Sequence, residues 1–321
     1  MNNIIINLLS PGIRGLINKN ESLLKSLIEI RIRINRPIIF VFSYGEMFLN
    51  SSGGLTKDRD RAYNISSEDI LYTIENVSHC SLYAYEDEIK NGYITIKGGH
   101  RVGLAGQVII SEGMVKGLKN ISFINIRMAN QIKGCSDVVL PYIIKDGALL
   151  NTLIISPPGC GKTTLLRDIV RVISDGNKYC QGQNVGVVDE RSEIAACYMG
   201  VPQNDVGIRT DILDGCPKSS GMMILLRSMN PRIIAVDEIG GREDINAIMY
   251  SIHCGCRIIA TIHGDSIDDI RQRPIVRDMV SQKVFQRYIV LNNISGYGSV
   301  ENIFDERGNE LLSLSLSVAN W

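Results

Sequence analysis

Hydrophobic spacing changes character near residue 145. Before that point, short elements of different period follow one another. The opening MNNIIINLLSPGIRG carries an apolar run with the look of a helix start. ESLLKSLIEIRIRINRPIIFVF reads as a helix and then a strand that begins after Pro37. SSGGLTKDRDRAYN is polar and bears glycine, which predicts a hairpin or loop. In the next segment Ile70, Ile74 and Val77 share one helical face, and Ser66 or Ser67 is placed to cap it. YITIKGGHRVGLAGQVII predicts two strands about a Gly98-Gly99 turn, the second interrupted at Gly103 and Gly106. Residues 1–145 thus read as a small α+β domain whose composition shows no chemistry.

From 146 to 321 the pattern becomes strand, loop, helix, strand, repeated. ALLNTLIIS, NVGVVDE, PRIIAVDE and CRIIATIH are apolar, β-branched runs of strand length. Strands buried on both faces read this way, so this half is expected to be α/β, a mostly parallel sheet with helices on both faces. TTLLRDIVRVIS and REDINAIMYSIHC supply helices.

Composition changes this picture little. The chain has 321 residues, 45% hydrophobic and 21% charged, enough for two ordinary cores. Thirty-four Lys and Arg balance 34 Asp and Glu, which removes the simplest argument for a nucleic-acid coat. A local basic stripe stays open. No apolar run reaches the length of a spanning helix, and the N-terminus lacks a signal-peptide pattern. The expectation is a soluble, cytoplasmic protein able to dock on a membrane protein. Eight scattered cysteines without a C-x-x-C pair suggest free thiols in a reducing cytosol. His253-Cys254-Gly255-Cys256 is half of a zinc set at most and reads more simply as small residues ending a helix.

The chemistry is concentrated in Ser156-Pro157-Pro158-Gly159-Cys160-Gly161-Lys162-Thr163, followed by Thr164. This fits the phosphate-loop pattern G-x-x-x-x-G-K-[ST] except at its first position, where Ser156 replaces Gly. Pro157 and Pro158 stiffen the approach. Gly159 and Gly161 permit tight bends, and the helix that follows offers its N-terminus to an anion. Pro158, Gly159, Cys160, Gly161, Lys162, Thr163 and Thr164 are therefore the expected ATP-binding set. Lys162 would reach the β and γ phosphates and Thr163 would ligate Mg²⁺. A second strand ends in Asp237-Glu238, with Asp237 expected at the Mg²⁺ and Glu238 expected to polarise the attacking water. That acidic pair favours hydrolysis over a nucleotide switch without turnover. Two further strand ends carry Glu190, Arg191 and His263. Glu190 could hold a water or the metal's hydration shell, Arg191 a phosphate, and His263 could sense the γ phosphate. A helix cap or a surface charge is the plainer reading of these two ends.

The order of these motifs resembles the secretion-type ATPases of type II and type IV systems, with an acidic box between the two Walker motifs and a His box after the second. EIRIR, YAYEDEIKNGYITIKGGHRVGLAGQ and FINIRMA, together with SPPGCGKTTLLRDIVR, DERSEIA, DILDGCPKSSGMM and LRSMNPRIIAVDEIG, are more closely similar to the stage III sporulation protein AA family, a resemblance that covers roughly residues 28 to 293. This resemblance implies a RecA-like core and an ATPase of endospore-forming bacteria, peripheral at the mother-cell membrane. It implies a motor energising assembly of, or transport through, the channel between mother cell and forespore. It further implies a homo-hexamer and a membrane-embedded channel component as partner. Neutral net charge and the absence of an aromatic-basic patch weigh against a nucleic-acid substrate. In such rings arginines of the N-terminal domain reach a nucleotide at the subunit boundary. Arg101 in GGHRVGLAG and Arg127 in NIRMA match, with Arg227 and Arg242 as further candidates. Arg101 equally fits a hairpin surface charge. The N-terminal region is short, so an extra docking domain is expected to be missing. The chain lacks a four-cysteine insert, so no structural metal is expected. A nucleic-acid motor or loader on the same core is the alternative reading.

Overall fold

A computed structural model describes residues 2–17, 26–79, 85, 88–89, 92–111, 113–292 and 299–313. Cys80, most of YAYEDEIKNG and residues 21–25 of the first expected helix lie outside the described residues. Contacts divide the chain into two compact units, Met1–Asn130 with Ala196–Gln203, and Gln131–Ala195 with Asn204–Trp321.

In the first unit, seven strands form an antiparallel sheet. They are β1 (Leu27–Arg33), β2 (Ile39–Phe42), β3 (Gly45–Leu49), β4 (Leu55–Thr56), β5 (Tyr93–Thr95), β6 (Arg101–Ser111) and β7 (Met114–Arg127), in the order β4-β3-β2-β1-β7-β6-β5. LIEIRIR is a strand, where the sequence reading gave a helix. Its isoleucines alternate with charged residues, so Ile30 and Ile32 face the core while Arg31 and Arg33 do not. Gly103 does not interrupt β6, since it pairs with Asn125. Gly106 does mark a register shift, and a Cβ there would lie 2.7 Å from Ile121 Cα, so only glycine fits. Helices Asn2–Leu8, Pro11–Ile17 and Ser67–Val77 supply Ile5, Ile13, Ile70, Ile74 and Val77 to the same core as Ile30, Phe40, Val102 and Ile126.

Ser66 is the cap of Ser67–Val77, paired with Asp69 in a capping box. The buried Asp69 carboxylate also accepts from the Ser10 hydroxyl and, at 3.0 Å, from Tyr63 Oη. Residues Ala196–Gln203 join this unit although they follow the acidic strand of the other. Gly98 N–H donates to Gln203 Oε1 at 2.7 Å, and Tyr198 Oη lies 3.0 Å from His79 Nε2.

The second unit holds an eight-stranded sheet in the order β12-β11-β13-β14-β10-β15-β16-β17. Its strands are β10 (Thr152–Ser156), β11 (Val185–Asp189), β12 (Thr210–Asp214), β13 (Ile233–Val236), β14 (Arg257–His263), β15 (Arg287–Asn292), β16 (Ser299–Asp305) and β17 (Glu310–Ser313). The first six in that order are parallel; β16 and β17 add antiparallel. A separate pair, β8 (Ile144–Lys145) and β9 (Ala148–Leu149), precedes it. Every residue of β10, β11 and β13 is buried, as strands covered on both faces must be. The strand β12 has no apolar run and was not expected; it is an edge strand, half exposed, so its polar sequence costs nothing.

Residues 131–145, compositionally part of the first half, pack in this second unit. Ser136 donates its N–H (2.9 Å) and hydroxyl (2.7 Å) to Asp168 Oδ2 on the helix Lys162–Asp175.

Burial alone would push the Asp69 carboxyl up, but hydrogen bonds from Ser10, Ser66 and Tyr63 hold it below its ordinary value. A depressed carboxyl adds stability above its unfolded pKa of about 3.9, and that contribution fades as pH falls through the folded value. Asp69→Ala is therefore expected to destabilise the first unit at neutral pH by about 2–3 kcal/mol. Denaturant unfolding followed by circular dichroism should show the gap to wild type closing at pH below about 3.9.

Candidate functional site

Parallel pairing brings three strand ends together. Ser156 at the end of β10 is in register with His263 of β14, and Ala260 of β14 with Val236 of β13. The residue after Val236 is Asp237, so the phosphate loop, the Thr261–His263 end and the acidic pair share one rim. Ligands in open α/β sheets collect at this carboxyl edge.

The loop itself is built as expected. Gly159 and Gly161 have φ of 74° and 78°, a left-handed conformation available to glycine. A Cβ on Gly159 would meet nothing within 4 Å, so its outer side is open. Helix Lys162–Asp175 begins at Gly161, which has no side chain to cap its N-terminal donors. Pro158 is exposed, while Cys160 is buried with Sγ donating to Pro158 O at 3.7 Å. Thr164 O accepts from Cys135 Sγ at 3.8 Å. Burial beside Asp168 pushes the Cys135 thiol up to about 12, which keeps it protonated and inert.

Lys162 is buried, and Nζ donates to Ser156 O (3.3 Å) and Pro157 O (3.2 Å). It also stands 3.1 Å from His263 Nδ1. An ammonium has only donors, so Nδ1 accepts and the ring proton sits on Nε2. That nitrogen is 2.9 Å from Glu238 Oε1. The other Glu238 oxygen accepts from Arg191 Nη1 at 2.6 Å. Lys162, His263, Glu238 and Arg191 thus form one continuous chain. Burial lowers the Lys162 ammonium pKa, opposed by the charges of Asp237 and Glu238.

Thr163 Oγ1 donates to Asp237 Oδ2 at 2.6 Å, and Thr261 Oγ1 donates to Asp237 Oδ1. Burial raises the Asp237 carboxyl, partly offset by those two hydroxyls. A hydroxyl and a carboxylate in contact at the foot of an uncapped helix are hard oxygen donors of the kind Mg²⁺ takes alongside phosphate. The residues present therefore fit that ion. Glu238 has φ of 54°, a left-handed angle that costs a non-glycine residue about 1–3 kcal/mol and turns its side chain off the strand direction.

Glu190 lines a narrow charged cleft with Asp189, Arg191, Glu193, Asp237 and Glu238. Its carboxylate is paired with the Lys218 ammonium, a partner that the sequence reading did not name. Arg191, expected at a phosphate, is paired with Glu238. Sequence reading also passed over what shapes this loop. Buried Asp189 accepts the N–H groups of Glu193 (2.8 Å), Ile194 (3.0 Å) and Ala195 (2.8 Å). Buried Arg167, from the phosphate-loop helix, donates to Glu193 O and Ile194 O, both at 2.5 Å. An arginine inside an apolar helical stripe (LLRDIVRVIS) was the available signal.

The proposed arginines divide between the units. Arg101 and Arg127 are paired residues on β6 and β7 of the first unit, with Arg101 4.5 Å over the Tyr93 ring and Arg127 3.7 Å from Glu29. In the second unit, Arg227 is exposed in the last turn of Lys218–Ser228, and Arg242, also exposed, opens the helix Arg242–His253. Cys256, near that helix's end, is buried with Sγ donating to Pro231 O at 3.1 Å. Among the described residues no helix is long and apolar enough to cross a membrane.

Comparison with known proteins places this rim in context. A family profile described as "Sporulation stage III, protein AA" matches residues 1–311. The chain is 44% identical over 283 residues to the Stage III sporulation protein AA of Bacillus subtilis (strain 168), covering 88% of each. Among solved structures, the Yersinia pseudotuberculosis ATPase DotB superposes with TM-score 0.58 at 12% identity, over 90% of this chain and 78% of that one. The pilus retraction motor PilT, solved with bound ADP, gives TM-score 0.56 at 14% identity, over 85% and 76%. At such identities the likeness is one of fold, and that fold is α/β and RecA-like.

Arg167→Met should release the Glu193 and Ile194 carbonyls inside the protein and cost about 1.5–3 kcal/mol. Hydrogen exchange by mass spectrometry should report it as faster exchange across residues 190–195, with β10 unchanged.

Proposed function

Because the chain belongs to the sporulation stage III protein AA family, we propose that it is an ATP-hydrolysing ring motor of the secretion-ATPase type, working in endospore formation. Its task is to energise assembly of, or transport through, the channel between mother cell and forespore. It acts from the mother-cell side, against the cytoplasmic part of a membrane-embedded channel component.

One observation carries the hydrolysis reading. Thr163 and Asp237 meet at 2.6 Å on the rim where Lys162 and Glu238 also converge. Pro158, Gly159, Cys160, Gly161 and Thr164 form the cradle for the β and γ phosphates, with backbone amides of the uncapped helix as donors. Lys162 exchanges its contacts with Ser156 O, Pro157 O and His263 for phosphate oxygens. Mg²⁺, held by Thr163 and Asp237, supplies neutralisation of phosphate charge when bound. Glu238 orients water and accepts its proton, the task of a positioned carboxylate in phosphoryl transfer. His263 contacts both Lys162 and Glu238, so it can report the position of the first to the second. Glu190, kept in place by Lys218, adds a carboxylate beside the same cleft.

Arg101 and Arg127 serve a neighbouring subunit in this reading. In a homo-hexamer an arginine delivered across the boundary meets charge developing on the γ phosphate, and hydrolysis is then coupled to subunit motion. Equal numbers of acidic and basic residues support a protein partner over nucleic acid.

Lys162→Ala should weaken ATP binding by about 2–5 kcal/mol, read by calorimetry; unchanged affinity would overturn the phosphate-loop assignment. Glu238→Gln should keep ATP affinity while kcat falls by about 10²–10⁴-fold. Mass measurement with a non-hydrolysable ATP analogue should give a hexamer, and phosphate release should not respond to DNA. A strict monomer, or strong DNA stimulation, would count against the ring motor.

A further inference from the structure

Thr261 is a fully buried hydroxyl inside β14, the strand between the phosphate-loop strand and the acidic strand. Three consecutive residues of the acidic turn are fastened to it. Its Oγ1 donates to Asp237 Oδ1. The same oxygen accepts the Glu238 N–H at 2.8 Å. Its backbone carbonyl accepts the Ile239 N–H at 2.9 Å.

We propose that Thr261 is a positioning residue for ATP hydrolysis, one hydroxyl setting at once the carboxylate that faces Thr163 and the backbone turn that aims Glu238. The inference rests on the hydrolysis reading above and adds to it the element that aligns the two acids.

A threonine hydroxyl has one proton and can accept in return, and here both capacities are used on adjacent residues. Asp237 is thereby held from two sides, by Thr163 on Oδ2 and Thr261 on Oδ1, which leaves its carboxylate little freedom to rotate. Glu238 sits at φ 54°, an angle a glutamate does not hold without outside support. The support at this turn is the Thr261 pair of bonds, to the Glu238 N–H from the side chain and to the Ile239 N–H from the backbone. The side chain of Glu238 then reaches His263 and Arg191, so its aim depends on the turn beneath it.

β14 would accept valine in place of threonine on packing grounds, since both are β-branched and the residues on the same face of the sheet, Ile259 and the cross-strand neighbour Ile154, are apolar and buried. Shape therefore does not call for a hydroxyl at this position; the two bonds to the acidic turn do. Valine would fill the space and leave Asp237 Oδ1 and the Glu238 N–H without this partner.

The test uses full-length protein with three substitutions, Thr261→Val, Thr261→Ser and Thr261→Cys. Calorimetry with Mg·ATP gives affinity, phosphate release gives kcat and KM, and thermal melting checks the fold. Thr261→Val and Thr261→Cys should lose about 10²-fold in kcat, the scale of a misplaced catalytic group, with affinity within about five-fold of wild type. Thr261→Ser should recover kcat to within about five-fold. A purely structural role would not sort serine from cysteine in kcat alone, because the two differ by one atom. Should the valine variant fail to fold, that serine–cysteine comparison decides. Wild-type kcat in the valine or cysteine variant, or a serine variant as slow as valine, would overturn the proposal. So would a loss that lies in affinity and not in kcat. Wild-type protein that releases no phosphate from ATP would remove the hydrolysis reading and this inference together. An active wild type with an equally active Thr261→Val removes the inference only.

Discussion

The site depends on the insertion of β14 between β10 and β13, more than on any one residue. With that strand in place the phosphate loop and the acidic pair end two strand spacings apart, roughly 9–10 Å, with Thr261 and His263 between them. With it, Ser156 faces His263, and Val236 faces Ala260. The register then sets Asp237 beside Thr261 and within reach of Thr163. One residue of slip would turn Thr261 to the opposite face of the sheet and undo both of its bonds. Two continuous apolar faces, with Leu153, Val236, Ile258 and Ala260 on one and Ile154, Ala235 and Ile259 on the other, hold that register.

A second constraint operates at the acidic box. VVDERSE places Asp189 at a strand end, where a surface charge would be unremarkable. Instead the carboxylate is buried, and burial raises its pKa while three backbone N–H groups offset part of the cost. Those bonds, with Arg167 gripping the carbonyls of Glu193 and Ile194 from the phosphate-loop helix, give the loop a fixed path. Glu190 and Arg191 are therefore presented by a rigid turn. Their partners, Lys218 and Glu238, come from elements 28 and 47 residues further along the chain.

The first unit follows a different logic. Its sheet is antiparallel, with one face packed beneath three helices, and alternation along β1 is what shows that face. LIEIRIR runs on without a break from ESLLKS, whose spacing is helical, and that continuity masks its own period. Period 2 was present in the letters, Ile-Glu-Ile-Arg-Ile-Arg, and outweighs helix propensity once a sheet is available to pair with. Arg101 and Arg127 stand opposite one another because β6 and β7 pair in register through Val102–Ile126, a relation that no spacing in the sequence expresses.

What the sequence determined by itself is local. The glycines that bend the phosphate loop, the lysine and threonine that follow, the acids closing an apolar strand and the cap at Ser66 all work over a few residues. Their roles follow from backbone angles and donor counts that travel with the residue type. Tertiary structure decided what depends on strand order and burial. It placed β14 between the two motif strands, turned a threonine with no motif into the anchor of Asp237, Glu238 and Ile239, and sent Arg191 to Glu238. It also carried Ala196–Gln203 into the other compact unit. Strand order is set by which apolar faces bury best against one another, a sum over distant contacts that local spacing does not contain.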